Sequence, residues 1–422
     1  MAGPAKVVVF AHVPPPHHGQ STMVRLLLEG LRDERWGIVG GPLAASAPDD
    51  RPCGYHVDAR VSDDLQDVGG MRPGKLWRLL QCCISAVRHR ICNGARTLYY
   101  IPAPARRSAV LRDLVVLLLV RPWFPRIIFH WHALGLAPWI MHGEASGERP
   151  LFGAADPLLR AILKRVTGGA HLSIALAPDG EAEAALLKPR QSILIPNGIP
   201  DPCPDYDTAL RDSRLARADA LRAGSAGSIR LLYLAACTLE KGLFDALDAM
   251  DLLPALLPVG TGIELTIAGT FVSPDERARF DARMAGGEGG DRPQRLTFTL
   301  TGQMDPTAKA RLLAEHDCLL VPSHRESFGL TLLEAMGAGL ELAAADLPSF
   351  RAILGPLAPG RIATRQPGES AGAALARGVA SALRSADPNA LRARYVAAFG
   401  VTDWARAMSD ALATAAAPAA DR

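Results

Sequence analysis

Two glycine signatures are missing from this chain of 422 residues. No Gly-x-Gly-x-x-Gly follows a predicted strand, and no Gly-x4-Gly-Lys-Ser/Thr occurs, so dinucleotide-binding and P-loop readings lose support. The glycine cluster Gly286-Gly287-Glu288-Gly289-Gly290 reads as a flexible surface loop rather than a phosphate cradle. Long apolar runs are absent too. Leu114 to Val120, bracketed by Asp113 and Arg121, is far shorter than the roughly 18 to 20 apolar residues that cross a bilayer. The seven cysteines have no metal-ligand spacing, and Cys82 and Cys83 are adjacent, which points to reduced thiols in a cytoplasm. The first residues lack the basic-then-apolar pattern of a signal peptide, in keeping with that compartment.

Acidic residues are scarce in one region. The net charge is only +3, yet between 70 and 130 Asp113 is the single acid against Arg72, Lys75, Arg78, Arg88, Arg90, Arg96, Arg106, Arg107, Arg112, Arg121 and Arg126. Leu76, Trp77, Leu79 and Leu80 add an apolar component. Such a segment suits peripheral contact with an anionic membrane or a phosphate-bearing acceptor; a solvated helix face on an Arg-rich protein reads equally well. No nucleic-acid-binding motif accompanies the charge, so nucleic acid is not an expected partner.

What is present is an α/β rhythm. Length suggests two or three domains, and 49% hydrophobic with 21% charged residues is ordinary for such an enzyme. Short apolar runs at 7–11, 98–101, 126–131, 172–176, 192–196, 230–235, 263–268, 296–300 and 318–322 alternate with helical stretches, the pattern of parallel, doubly wound sheets. Two Rossmann-like domains fit better than one. The prolines of Pro200-Asp201-Pro202-Cys203-Pro204 mark the junction, giving domains over 1–200 and 201–387.

The densest chemistry lies in Ser323-His324-Arg325-Glu326-Ser327-Phe328-Gly329-Leu330-Thr331-Leu332-Leu333-Glu334. Asp317 to Pro322 reads as a buried strand, and Leu330, Leu333, Ala335 and Met336 as the face of a following helix. The free N–H groups and positive dipole end of that helix suit a phosphate, and Gly329 lets a ligand approach the backbone. Were both glutamates helical, eight residues would separate them by about 80° of rotation and about 12 Å of rise. They therefore suit two polar parts of one long ligand.

This segment resembles the signature of glycosyltransferase family 4: retaining, nucleotide-sugar-dependent enzymes of the GT-B fold. Ile195-Pro196-Asn197-Gly198-Ile199 is similar to the family's Pro-Asn-Gly segment, and Leu232 to Gly242 to its strand and Lys-Gly loop. The resemblance implies two Rossmann-like domains with parallel sheets facing a cleft, the helices of 388–422 joining the first. It also implies a nucleoside diphosphate-sugar as co-substrate, an unidentified acceptor, and neither cofactor nor metal. In its terms Lys241 and the backbone of Ser327, Phe328, Gly329 and Leu330 hold the diphosphate, Glu334 the ribose, and Glu326 the transferred sugar. Gly19 and Gln20, on the loop after the first strand, and Asn197 are further donor contacts. His132 is the histidine beside the reacting sugar, a place it fits better than His130.

Two departures stand out. The family usually has a cation five residues before the lysine, where this chain has Ala236, and usually reads Gly-x-Pro-Val where this chain has Gly339-Leu340-Glu341-Leu342. They bear on how the donor is seated; an epimerase or a coupling enzyme forming a non-glycosidic bond stays open beside the transferase, as does, given Ala236, a nucleotide-binding homologue without catalysis.

Overall fold

The computed structural model describes residues 5–15, 19–31, 52–60, 73–143, 151–285, 296–302 and 304–417. The glycine cluster at 286–290, His17, His18 and Arg72 lie outside them. The chain divides into two compact units, 1–198 with 401–422, and 199–400.

The first unit runs β1 (Lys6–Ala11), α1 (Gly19–Gly30), β2 (Cys53–Asp58), α2 (Pro73–Cys92), β3 (Thr97–Tyr100), α3 (Arg107–Val120), β4 (Arg126–Trp131), α4 (Leu136–His142), α5 (Asp156–Thr167), β5 (Leu172–Ala175), α6 (Pro178–Ala185) and β6 (Ser192–Leu194). The second runs α7 (Arg211–Arg222), β7 (Ser228–Leu234), α8 (Leu243–Leu252), β8 (Gly262–Ala268), α9 (Pro274–Ala285), β9 (Leu296–Leu300), α10 (Pro306–Glu315), β10 (Cys318–Val321), α11 (Leu330–Gly337), β11 (Glu341–Ala345), α12 (Pro348–Leu354), β12 (Ile362–Ala363), α13 (Ala371–Arg384) and α14 (Pro388–Ala398). Helix α15 (Val401–Ala416) returns to the first unit, where it packs on α1 and the sheet. There Arg126 donates to the carbonyl of Ala416 at 2.9 Å.

All strand pairings are parallel, with orders β2-β1-β3-β4-β5-β6 and β12-β11-β10-β7-β8-β9. Helices cover the faces of a parallel sheet, so its strands are apolar on both sides: Val7, Val8 and Val9 are fully buried, as are Leu231, Leu232 and Tyr233. In each unit the chain starts mid-sheet, grows outward, then crosses to the other side. That reversal leaves a crevice at the carboxyl ends of the strands, β1 and β3 flanking one and β7 and β10 the other.

Three expectations need correction. Strands β2, β11 and β12 had no place in the sequence reading. The division falls at 198/199, because Ile199 pairs with Gly400 and donates to the Phe399 carbonyl. Helix α14 belongs to the second unit, not the first: Arg392 holds both carboxylate oxygens of Asp201 and donates to the Gly337 carbonyl at 2.7 Å. Only α15 joins the first unit.

Candidate functional site

The crevice of the second sheet is built by two loops, 235–242 after β7 and 322–329 after β10. They are tied at the backbone, where His324 donates to the Glu240 carbonyl at 2.9 Å. Their approach is close enough to require glycine. Gly242, at φ 73°, opens α8, and a Cβ there would lie 2.1 Å from the Pro322 carbonyl oxygen. Beneath the first loop the buried Tyr233 hydroxyl donates to the Ala236 carbonyl at 2.8 Å, fixing the backbone there. Thr238 accepts from the Lys241 amide at 3.1 Å and holds the turn before α8.

The Lys241 ammonium forms a partly exposed ion pair with Glu326 across these loops. Glu326 is outside the helix: α11 begins at Leu330, so the helical rotation computed for the two glutamates does not apply. Its backbone is set by Ser349, whose hydroxyl donates to the Glu326 carbonyl at 3.1 Å. Gly329 caps α11 at φ 103°, with no room for a Cβ beside the Phe350 ring. The Phe328 side chain turns inward, edge-on to Phe399 at 6.4 Å, and leaves only its backbone for a ligand, while Ser327 and Leu330 are half-buried.

Glu334 sits one turn into α11 and is largely buried, one oxygen 2.5 Å from the ammonium of Lys309 on α10. Nothing in the sequence paired these residues; Lys309 comes from a separate helix capped by Asp305. His324 with Asp245, an ion pair when the histidine is protonated, was likewise not foreseen. That pair borders a cavity of about 780 Å³ at the ends of β10, β11 and β12, which includes Asp346, Thr364 and Arg365 but neither Lys241 nor Glu334. On the other flank Leu239, Val272 and Leu300, at the ends of β7, β8 and β9, are exposed apolar side chains.

Glu341 has a local role. Its carboxylate is buried at the start of β11, held by Arg361 through Nε at 2.5 Å and Nη2 at 2.9 Å, with the amides of Leu342 and Asp387 donating to it. Burial still pushes its carboxyl above the usual range.

In the first unit His130 and His132 share one side of β4, their rings 4.2 Å apart. His130 is buried; its Nδ1 lies 2.5 Å from the Tyr99 hydroxyl and 3.2 Å from His132 Nε2. Burial, then the neighbouring His132, pushes its pKa well below the ordinary value, so it stays neutral beside the more open His132. Gly19 is exposed at the start of α1 and Gln20 half-buried beside it. Asn197 is buried, its Oδ1 without a partner among the described residues. A polar cavity of about 460 Å³ at the end of β2 is lined by His56, Asp58, Arg60, Arg78, Gln81 and Ser85. Among the described residues no group of three or more His, Cys, Asp or Glu side chains could hold a metal ion.

The two parallel-sheet units define a GT-B glycosyltransferase fold. Sucrose-phosphate synthase from Thermosynechococcus elongatus superposes with a TM-score of 0.59 at 19% identity, over 96% of this chain and 98% of that one. Residues 224–397 match the family model described as Glycosyl transferases group 1. That match lies within the second unit. Among curated relatives, the phosphatidyl-myo-inositol mannosyltransferase of Mycobacterium tuberculosis is 34% identical over 160 residues, 38% of each chain. The glycogen synthase of the same organism is 34% identical over 184 residues, 42% of this chain and 39% of that one. The match thus spans about two fifths of the length of these relatives.

Proposed function

We propose that this protein is a retaining glycosyltransferase that moves a sugar from a nucleoside diphosphate-sugar to an acceptor. The observation that carries the reading is the Lys241–Glu326 pair at the crevice of the second sheet, beside the start of α11. An ammonium and free helix amides at one point suit a diphosphate, and a carboxylate there suits the hydroxyls of a sugar attached to it. Glu334 then takes the ribose, oriented by Lys309, and the apolar side chains of Leu239, Val272 and Leu300 offer a surface for the base. Relatives named as a mannosyltransferase and a glycogen synthase accord with sugar transfer.

In this reading the diphosphate departs against Lys241 and the α11 amides, which stabilise its charge without a metal. The acceptor attacks from the same face, helped by the leaving phosphate, so no protein nucleophile is assigned. By the resemblance, His132, Gly19, Gln20 and Asn197 serve the sugar or the acceptor, and the reaction belongs to the cytoplasm. The test is product analysis after incubation with a panel of UDP-, GDP-, ADP- and TDP-sugars and candidate acceptors. Release of one nucleoside diphosphate with transfer at retained anomeric configuration supports the proposal; an epimerised donor, or no turnover with any of them, contradicts it.

A further inference from the structure

We infer that the α2–α3 face of the first unit is a docking surface for an anionic lipid bilayer. Trp77, Ile84 and Ile91 follow one another at seven-residue spacing on α2, so they form one stripe about 21 Å long. All three are more than 60% exposed, an unusual fate for large apolar side chains at regular intervals. Leu118 and Leu119 at the end of α3, and Trp123 just beyond it, are also exposed. The end of α2 is tied to this second group, because Arg90 donates from Nε to the Trp123 carbonyl at 2.9 Å.

The exposed charge on these helices is basic, and Asp58 is the acid beside it, lining one cavity with Arg78. Arg78 and Arg88 are exposed on α2, as are Arg106 and Arg107 at the start of α3, and α5, which packs on α3, adds exposed Lys164 and Arg165. Asp113 does not offset them at the surface. It is fully buried, accepting from the Tyr100 hydroxyl and the Ala103 amide at 2.7 Å each and from Arg112 at 2.9 Å. Of the basic residues counted in the sequence, Arg112 pairs inward, Arg90, Arg121 and Arg126 hold backbone carbonyls, and Arg72 lies outside the described residues. What remains outside is tryptophan and isoleucine among arginines without an exposed acid between 73 and 126. Interfacial tryptophan with aliphatic side chains favours the headgroup boundary, and arginine favours anionic lipid, so a bilayer matches both features where a soluble partner would need its own apolar patch.

The inference is independent of donor chemistry. It is tested by sedimentation of the full chain with phosphatidylglycerol–phosphatidylcholine vesicles and with phosphatidylcholine vesicles, at low and high salt. Binding to the first, weak binding to the second and release by salt are expected, since surface attraction is screened over about 10 Å at 0.1 M. Arg78→Glu with Arg88→Glu should lower partitioning by about tenfold or more. Trp77→Ser with Ile84→Ser should lower it without altering the melting temperature, because both side chains are already in water. Absence of binding to phosphatidylglycerol vesicles, or binding that neither double variant changes, overturns the inference. So does light scattering that shows a dimer dissociated by Trp77→Ser with Ile84→Ser, which would make the stripe a contact between two copies.

Discussion

Lys241 and Glu326 are 85 residues apart in sequence and joined in one ion pair across the crevice of the second sheet. In the proposed function the lysine meets the diphosphate already engaged with a carboxylate, and the two anions compete for it. Glu326→Gln should raise affinity for the bare nucleoside diphosphate by a fewfold, because Lys241 is released, while turnover of the sugar donor falls by about tenfold or more. A loss confined to kcat marks contacts made in the transition state. Calorimetry beside donor kinetics checks this, and weaker nucleotide binding by the variant would place Glu326 elsewhere.

Glu334 and Lys309 should behave as one unit in nucleotide binding. Glu334→Gln removes a charged acceptor for ribose hydroxyls, and affinity should fall about tenfold. Lys309→Met should lower affinity as well, by freeing Glu334 to other rotamers, and the double variant should be little worse than Glu334→Gln alone. Additive losses in the double-mutant cycle would show that Lys309 contacts the ligand itself.

The buried Glu341–Arg361 pair calls for a stability measurement. Arg361→Met leaves a carboxylate buried beside two amides and without its cation, so chemical denaturation should show a loss of about 3 to 5 kcal/mol. Removing both charges in Glu341→Leu with Arg361→Met should recover much of it. A single variant as stable as the parent would mean that water reaches Glu341.

Acid should weaken the fold before its carboxylates titrate. Burial keeps His130 and His316 neutral, and His316 uses both nitrogens in that form, Nδ1 donating to the Leu312 carbonyl at 2.7 Å and Nε2 accepting from Thr266 at 2.8 Å. Both folded pKa values lie below the ordinary 6.5, so below that pH the unfolded chain binds protons that the folded chain does not. Stability is thus full above about 6.5 and declines as pH falls. Melting temperatures at neutral and mildly acid pH should diverge less in His130→Asn than in the parent; equal divergence would remove His130 as a cause.

Much of this was legible beforehand because parallel strands are continuous apolar runs: 126–131 and 318–322 read directly as β4 and, to within one residue, β10. Strand β2 escaped notice because Cys53-Gly54-Tyr55-His56-Val57-Asp58 has too few β-branched residues, and β11 because Glu341-Leu342-Ala343-Ala344-Ala345 resembles helix. Glu326, Glu334 and Lys241 carried their signal in a local motif. Their partners did not. Lys309 reaches Glu334 from another helix, and Lys241 meets Glu326 only once β7 and β10 lie side by side, facts of sheet order rather than of spacing.

The diphosphate role of Lys241 is open to direct titration. With Ala236 where a second cation usually stands, Lys241 supplies most of the side-chain charge, so titrating UDP, GDP, ADP and TDP into the parent should reveal one that binds, and Lys241→Ala should bind it roughly ten- to a hundredfold more weakly, the worth of a charge-assisted contact of about 1.5 to 3 kcal/mol. Equal affinity of parent and variant, or no binding of any of the four, would contradict the site proposed here.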